Sequence, residues 1–265
     1  MIPKIIHYCW LSDDPIPEPY KSFIEEWQKI MPDYKIKKWD RSVINLDEHP
    51  FAKQAFEAKK YAFAADYIRV YALYHEGGIY LDSDVKVLKP FDPYLKYSYF
   101  SSLEKQMSDF HYKLLINRFI DKDGNRISNM PMIYLGIQAA ILGSEAKTAY
   151  LNDLLNFYQS QIFKKSNENY FNTPAPLIHA NFAERYGFKY VIQTQRLKNN
   201  MMIFPPNVFA TQNYGENDET IAIHCLSGSW LKKTSRIKGL IKRNKLFLNL
   251  NLILKILKKD KSINL

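Results

Sequence analysis

Residues 59–92 read KKYAFAADYIRVYALYHEGGIYLDSDVKVLKPFD. From Lys59 to Glu76 the apolar residues Phe63, Tyr67, Val70, Tyr71 and Tyr74 recur at helical spacing, which predicts a helix burying one stripe. Asp66 and Arg69, three apart, share a neighbouring face. On an exposed helix such an ion pair contributes little. Gly77 and Gly78 stop the helix, because glycine accepts backbone conformations that other residues resist. Ile79 to Leu81 is then a short apolar strand that ends on Asp82-Ser83-Asp84. Val85 to Val87 resumes the extended chain, and Pro90 and Pro93 close the unit.

The paired aspartates carry the chemistry. Side chains alternate along a strand, so Asp82 and Asp84 point to one side and can approach one cation. Carboxylate oxygens suit hard divalent ions such as Mn²⁺ or Mg²⁺, which complete their shells with water and substrate phosphates. An Asp-x-Asp alone is more often a surface turn. Here an apolar strand leads into it and a charged helix precedes it.

Outward from this unit, KIIHYCW (4–10) predicts a buried opening strand, and prolines at 15, 17 and 19 a loop. A helix from Tyr20 to Ile30 stops before Pro32, and Lys35 to Trp39 forms a second strand. This β-loop-α-β start suits a nucleotide-binding sheet with ligands at the carboxyl ends of its strands. Further along, Tyr97 to Leu103 predicts a strand and DKDGNR (121–126) a turn. Residues 135–142, 146–161 and 176–186 read as helices, and short strands are expected near 189–192, 201–204 and 220–224. His7 and His75 read as structural and Asp92 as a turn residue. His179 either borders an acceptor or sits in the core.

The chain has 265 residues, enough for one large domain with a tail, and 46% hydrophobic with 24% charged residues argues against disorder. The net charge of +10 suggests a nucleic-acid partner until it is located. Residues 232–265 hold eleven Lys and Arg against one acid, Asp260, so the tail carries the whole excess. Residues 1–231 are balanced at 26 basic and 26 acidic residues, so no nucleic-acid partner is expected. Only Cys9 and Cys225 occur, which builds no disulfide framework and suggests a reducing cytoplasm. The N-terminus reads as a first strand instead of a signal peptide, and no run of eighteen apolar residues occurs.

The segment AFAADYIRVYALYHEGGIYLDSDVKVLKPFD (62–92) resembles the DXD-containing glycosyltransferases of sequence family 32. These include fungal mannosyltransferases and bacterial capsule and lipopolysaccharide sugar transferases. The catalytic domain of the large clostridial glucosylating toxins is more distantly similar. The A-x-D-x-x-R helix, the GGIY-L-D-x-D strand and the K-P-F that follows arrive in the family's order and spacing. IPKIIHYCWL (2–11) looks like the family's opening strand, GIQAAILGSEA (136–146) like its acceptor-side helix and IAIHCLSGSW (221–230) like its closing element.

The resemblance implies an α/β, GT-A-type nucleotide-sugar-binding fold over 1–231, a single Rossmann-like mixed sheet flanked by helices, while the charge and composition break alone set off a basic helical tail, 232–265. It implies that Asp82 and Asp84 are catalytic and face a divalent metal and the donor phosphates, with Ser83 between them. Asp66 and Arg69 would bind the donor sugar, Tyr80 would line the same pocket and Trp10 would pack on the base. Trp230 would reach the leaving diphosphate, and His224 would be the third metal ligand, with Ser227 or Ser229 as competitors. Without the resemblance, Trp10 and His224 read as core residues. The nucleophile of a retaining reaction stays unassigned.

The expected reaction is metal-dependent transfer of a hexose, with retention, from a UDP- or GDP-sugar to a saccharide or lipid-linked saccharide in surface-polysaccharide synthesis. Metal-dependent phosphoryl or nucleotidyl transfer also uses paired aspartates. The tail surrounds LFLNLNLILKIL (246–257) with cations, which fits an anionic membrane surface and a peripheral place on the inner face of the cell membrane. Its alternative is a basic helix packed on the body or on a partner.

Overall fold

The computed structural model describes residues 1–105, 119–127, 135–164, 166, 170–212 and 215–225. The opening apolar run forms β1 (Ile5–Cys9), flanked in parallel by β2 (Lys35–Trp39) and β3 (Gly78–Leu81), with α1 (Tyr20–Ile30) between β1 and β2 in the chain. On the far side of β3 lies β7 (Ile141–Ser144), antiparallel both to β3 and to β5 (Tyr99–Lys105). β5 pairs in parallel with β9 (Met201–Phe204), which is antiparallel to β8 (Gln195–Arg196). The order is β2-β1-β3-β7-β5-β9-β8, and β6 (Leu135–Ile137) pairs with the last residues of β5. Because β7 is antiparallel to both neighbours, β1, β2, β3, β5 and β9 all run one way. Their carboxyl ends therefore gather at one edge, where a sheet of this kind binds ligands.

The helix α3 (Tyr61–Glu76) is buried more widely than one stripe. Tyr67 and Val70 are buried as expected, but so are Ala64, Ile68, Arg69, Ala72 and Leu73. The helix touches β1 and β3 as well as α2 (Pro50–Glu57) and α4 (Ala149–Ser160), so few of its faces meet water. Gly77 and Gly78 both have positive φ, 66° and 105°. A Cβ on Gly78 would lie 2.6 Å from the Ile5 carbonyl oxygen, so the close β1–β3 approach requires glycine.

A second, three-stranded sheet joins β10 (Phe209–Thr211), β11 (Ala222–His224) and β4 (Val85–Val87), with β11 parallel to β10 and antiparallel to β4. The mixed sheet flanked by helices agrees with the expected fold. The second sheet was not expected, because strands of three residues carry almost no periodicity.

Residues 135–142 are a correction. They form β6, a turn and the start of β7, not a helix, so GIQAAILGSEA is strand-turn-strand instead of an acceptor-side helix. A short apolar run cannot by itself distinguish a buried strand from a buried helix. Packing decides it here: a Cβ on Gly143 would lie 2.0 Å from Phe100 Cε1, so β7 presses against the β5 phenyl ring. Residues 190–193 are bends and 189 is irregular, with the short β8 just beyond them. Helix α2 and strand β10 had no counterpart in the sequence reading. The expected helix over 176–186 is α5 (Ala175–Ala183) followed by a 3₁₀ turn, Glu184–Tyr186. No described helix is long and apolar enough to cross a membrane. The tail expectation lies outside the described residues.

Candidate active site

β3 delivers Asp82 to the ligand-binding edge, and the chain turns at once. The Asp82 N–H donates to the Ala140 carbonyl (2.9 Å), and the Val85 N–H donates back to the Asp82 carbonyl (3.0 Å). Trp27, fully buried on α1, donates its indole N–H to the Val85 carbonyl at 2.9 Å and so fixes the chain just beyond the turn. Antiparallel pairing of β11 with β4 sets His224 opposite Val85. The Cys225 N–H donates to the Asp84 carbonyl at 3.0 Å, and His224 Nε2 lies 3.3 Å from Asp84 Oδ1.

Asp82, Asp84 and His224 each offer one ligand atom within 4.8 Å of the others. His224 Nδ1 is buried without a hydrogen-bond partner. Burial opposes charge on this imidazole, but Asp84, then Asp82 and Glu104, outweigh burial and raise its pKa. The two carboxylates and one imidazole form a donor set that fits a divalent cation.

Arg69 occupies the adjoining position. It is 4% exposed, 3.0 Å from Asp66 and 3.3 Å from Asp82. Its other donors reach main-chain oxygens, Nε to Ala65 (3.3 Å) and Nη1 to Ala139. Its Cζ lies 4.8 Å from the centre of the Tyr80 ring. The Asp66–Arg69 pair is therefore a buried bridge to the paired aspartates and not an exposed helical ion pair. Burial raises the Asp66 pKa to about 6, with Asp82 adding to the effect and Arg69 opposing it. Tyr80 is 1% exposed and lies beneath the guanidinium, so its reach toward a ligand passes through Arg69.

Trp10 follows β1 at the same edge, half-buried against the core, and its indole N–H donates to the Asp14 carbonyl at 2.8 Å. Ser83 is the part-exposed middle residue of the turn. Ser227, Ser229 and Trp230 lie outside the described residues, so Asp82, Asp84, His224, Asp66, Arg69, Tyr80, Ser83 and Trp10 are the expected site residues that can be placed.

His7, His75 and His179 are in the scaffold. His7 accepts the Trp39 indole N–H at Nδ1 (3.0 Å) and donates from Nε2 to the Gly77 carbonyl (2.8 Å). His75 packs on Tyr71 with ring centres 4.3 Å apart. His179 is fully buried, with Nδ1 3.4 Å from the Tyr150 hydroxyl, so it belongs to the core. Asp92 opens a 3₁₀ turn and pairs with Lys4 at 2.6 Å. Glu104, whose charge acts on His224, is next to last in β5.

Residues 17–101 match the family described as glycosyltransferase sugar-binding region containing DXD motif. Mannosyl phosphorylinositol ceramide synthase SUR1 of Saccharomyces cerevisiae is 36% identical over 104 residues, which cover 38% of this chain and 27% of that protein. Inositol phosphoceramide mannosyltransferase 3 of Schizosaccharomyces pombe is 35% identical over 100 residues, covering 36% and 28%. The uncharacterized glycosyltransferase L373 of Acanthamoeba polyphaga mimivirus is 33% identical over 116 residues, covering 42% and 46%. The aligned region thus takes up less than half of each relative. Among solved structures, a glycosyltransferase involved in glycosylation of the major capsid of PBCV-1 superposes with a TM-score of 0.40 and 13% identity, covering 84% of this chain and 94% of that one. The PaToxG glycosyltransferase superposes with a TM-score of 0.43 and 18% identity, covering 60% and 61%.

Proposed function

We propose that this chain, whose residues 17–101 carry the DXD-containing sugar-binding region of glycosyltransferases, moves a hexose from a nucleotide-sugar donor to a saccharide or lipid-linked saccharide acceptor, with retention. The observation that carries the reading is the convergence of Asp82, Asp84 and His224 beside the Asp66–Arg69 bridge at the carboxyl edge of the sheet. Asp82, Asp84 and His224 would hold the cation, and an imidazole among hard oxygen donors favours Mn²⁺ over Mg²⁺. A bound divalent ion neutralises charge on the leaving diphosphate as a Lewis acid. Arg69 and Asp66 offer a donor and an acceptor to sugar hydroxyls, and Arg69, tied also to Asp82, keeps the sugar and diphosphate subsites in register. Trp10 would supply a flat apolar face for the base, with Ser83 at the phosphates, and donor binding is the role expected of Trp230.

The names of the yeast relatives describe mannosyl transfer to inositol phosphoceramide, which supports a mannose donor and a lipid-linked acceptor. The basic segment 232–265 would then bring the body, 1–231, to an anionic membrane surface. The test is a donor screen: purified protein with Mn²⁺, a panel of UDP- and GDP-sugars, and measurement of released nucleoside diphosphate with and without acceptor. Release from at least one donor that stops on chelation supports the reading. No release from any donor, with nucleoside triphosphates cleaved instead, moves the chain to phosphoryl or nucleotidyl transfer.

A further inference from the structure

We propose that Gln138 is a positioning residue of this site, clamping the second sheet, which carries His224, to the link that holds Asp82 and Arg69. The inference rests on reading Asp82, Asp84 and His224 as the cation's ligands. Gln138, Ala139 and Ala140 connect β6 to β7. The Ala140 carbonyl accepts the Asp82 N–H at 2.9 Å, and the Ala139 carbonyl accepts Arg69 Nη1. The link is itself tied to β5. The Gln138 N–H donates to the Ser102 carbonyl at 2.8 Å, and the Ser101 hydroxyl lies 2.9 Å from the carbonyl oxygens of both Gln138 and Ile141.

The Gln138 side chain is fully buried and reaches the other sheet. Its Nε2 donates to the Ser102 hydroxyl at 3.2 Å and to the Phe209 carbonyl of β10, which also accepts the Ser102 hydroxyl at 2.7 Å. The opposite orientation of the amide would set Oε1 against the Phe209 carbonyl oxygen, two acceptors face to face. Oε1 has no hydrogen-bond partner among the described residues, so the amide serves as a donor alone. In the second sheet β11 is the central strand, between β10 and β4. On one side, Val85 of β4 pairs with His224 directly after the Asp82–Asp84 turn. On the other, Phe209 of β10 pairs with Ala222, two residues before His224. His224 is thus held from both edges of its sheet, through the chain at Asp84 and through Gln138 at Phe209. Loss of such an outer support commonly weakens metal binding tenfold or more.

The experiment makes two measurements on the full chain for the wild type, Gln138→Met, Asp84→Asn and Phe188→Leu, a core substitution outside both sheets. Methionine fills the space of Gln138 but donates no hydrogen bond. Hydrogen exchange without metal should quicken in the β10 and β11 amides of Gln138→Met and stay at the wild-type rate there in Phe188→Leu. Calorimetric titration of Mn²⁺ alone should give about tenfold weaker binding for Gln138→Met, none measurable for Asp84→Asn and wild-type binding for Phe188→Leu. Wild-type affinity or unchanged exchange in Gln138→Met, with binding lost in Asp84→Asn, would overturn the Gln138 inference and leave the site reading intact. An equal loss of affinity in Phe188→Leu would do the same, because general destabilisation would then explain it. Undiminished binding in Asp84→Asn, or none in the wild type, would overturn both. If Gln138→Met loses its cooperative melt, Ser102→Ala, which removes one hydroxyl donor from the Phe209 carbonyl, replaces it in both measurements, where wild-type exchange and affinity again overturn the inference.

Discussion

Replacing Arg69 with methionine is the sharpest test of the buried bridge. Methionine keeps the unbranched, helix-compatible stem and ends where the guanidinium begins, so the change removes the charge together with its bonds to the Ala65 and Ala139 carbonyls and keeps the apolar part of the side chain. Arg69 is 4% exposed, and the Asp66 side chain it faces is 13% exposed. The substitution thus leaves a desolvated carboxylate without its cation and frees Asp82 from a partner at 3.3 Å. Breaking a buried pair from one side typically costs about 3–5 kcal/mol. For a domain of this size that corresponds to a fall in Tm of roughly 8–15 °C. Thermal melts of the wild type, Arg69→Met, Asp66→Asn and the double variant close a cycle. The coupling should be on the order of 1–3 kcal/mol, because neutralising Asp66 removes much of what Arg69→Met leaves exposed to burial. A loss below about 1 kcal/mol with no coupling would mean that Asp66 and Arg69 behave as the ordinary surface pair their spacing suggests.

Asp84→Asn preserves shape and removes charge where a cation binds. Turnover should fall by about a hundredfold, roughly 3 kcal/mol of transition-state stabilisation, in the nucleoside-diphosphate release assay, and near-wild-type turnover would contradict the assignment. Donor affinity should rise as pH climbs through about 6, because Asp66 must ionise to serve Arg69 and the sugar. The stability sign is opposite: the folded carboxyl holds its proton above the unfolded value of 3.8, so this group's contribution declines between that pH and about 6. Titrating donor against pH in the wild type and Asp66→Asn checks both, and an inflection that survives in Asp66→Asn assigns it elsewhere. Removing 232–265 should leave turnover of a soluble acceptor intact while abolishing co-sedimentation with anionic vesicles at low salt, since each Lys or Arg contributes about 1 kcal/mol at such a surface. If the full chain ignores those vesicles, the membrane role is wrong.

What the sequence determined by itself was local. The helix through Arg69, the glycine stop, the strand onto Asp82 and the opening β1-α1-β2 follow from spacing, from glycine's freedom and from proline's limits, all of which act over a few residues. The tertiary structure decided what those rules do not reach. Residues 135–142 became strands because Gly143 must admit the Phe100 ring, a contact more than forty positions away in the chain. The His224–Asp84 contact depends on β11 crossing to pair with β4. The same limit separates the two readings of Asp66 and Arg69. Three-residue spacing shows that they can pair, but burial sets the energy of that pair, and burial depends on which elements pack around α3.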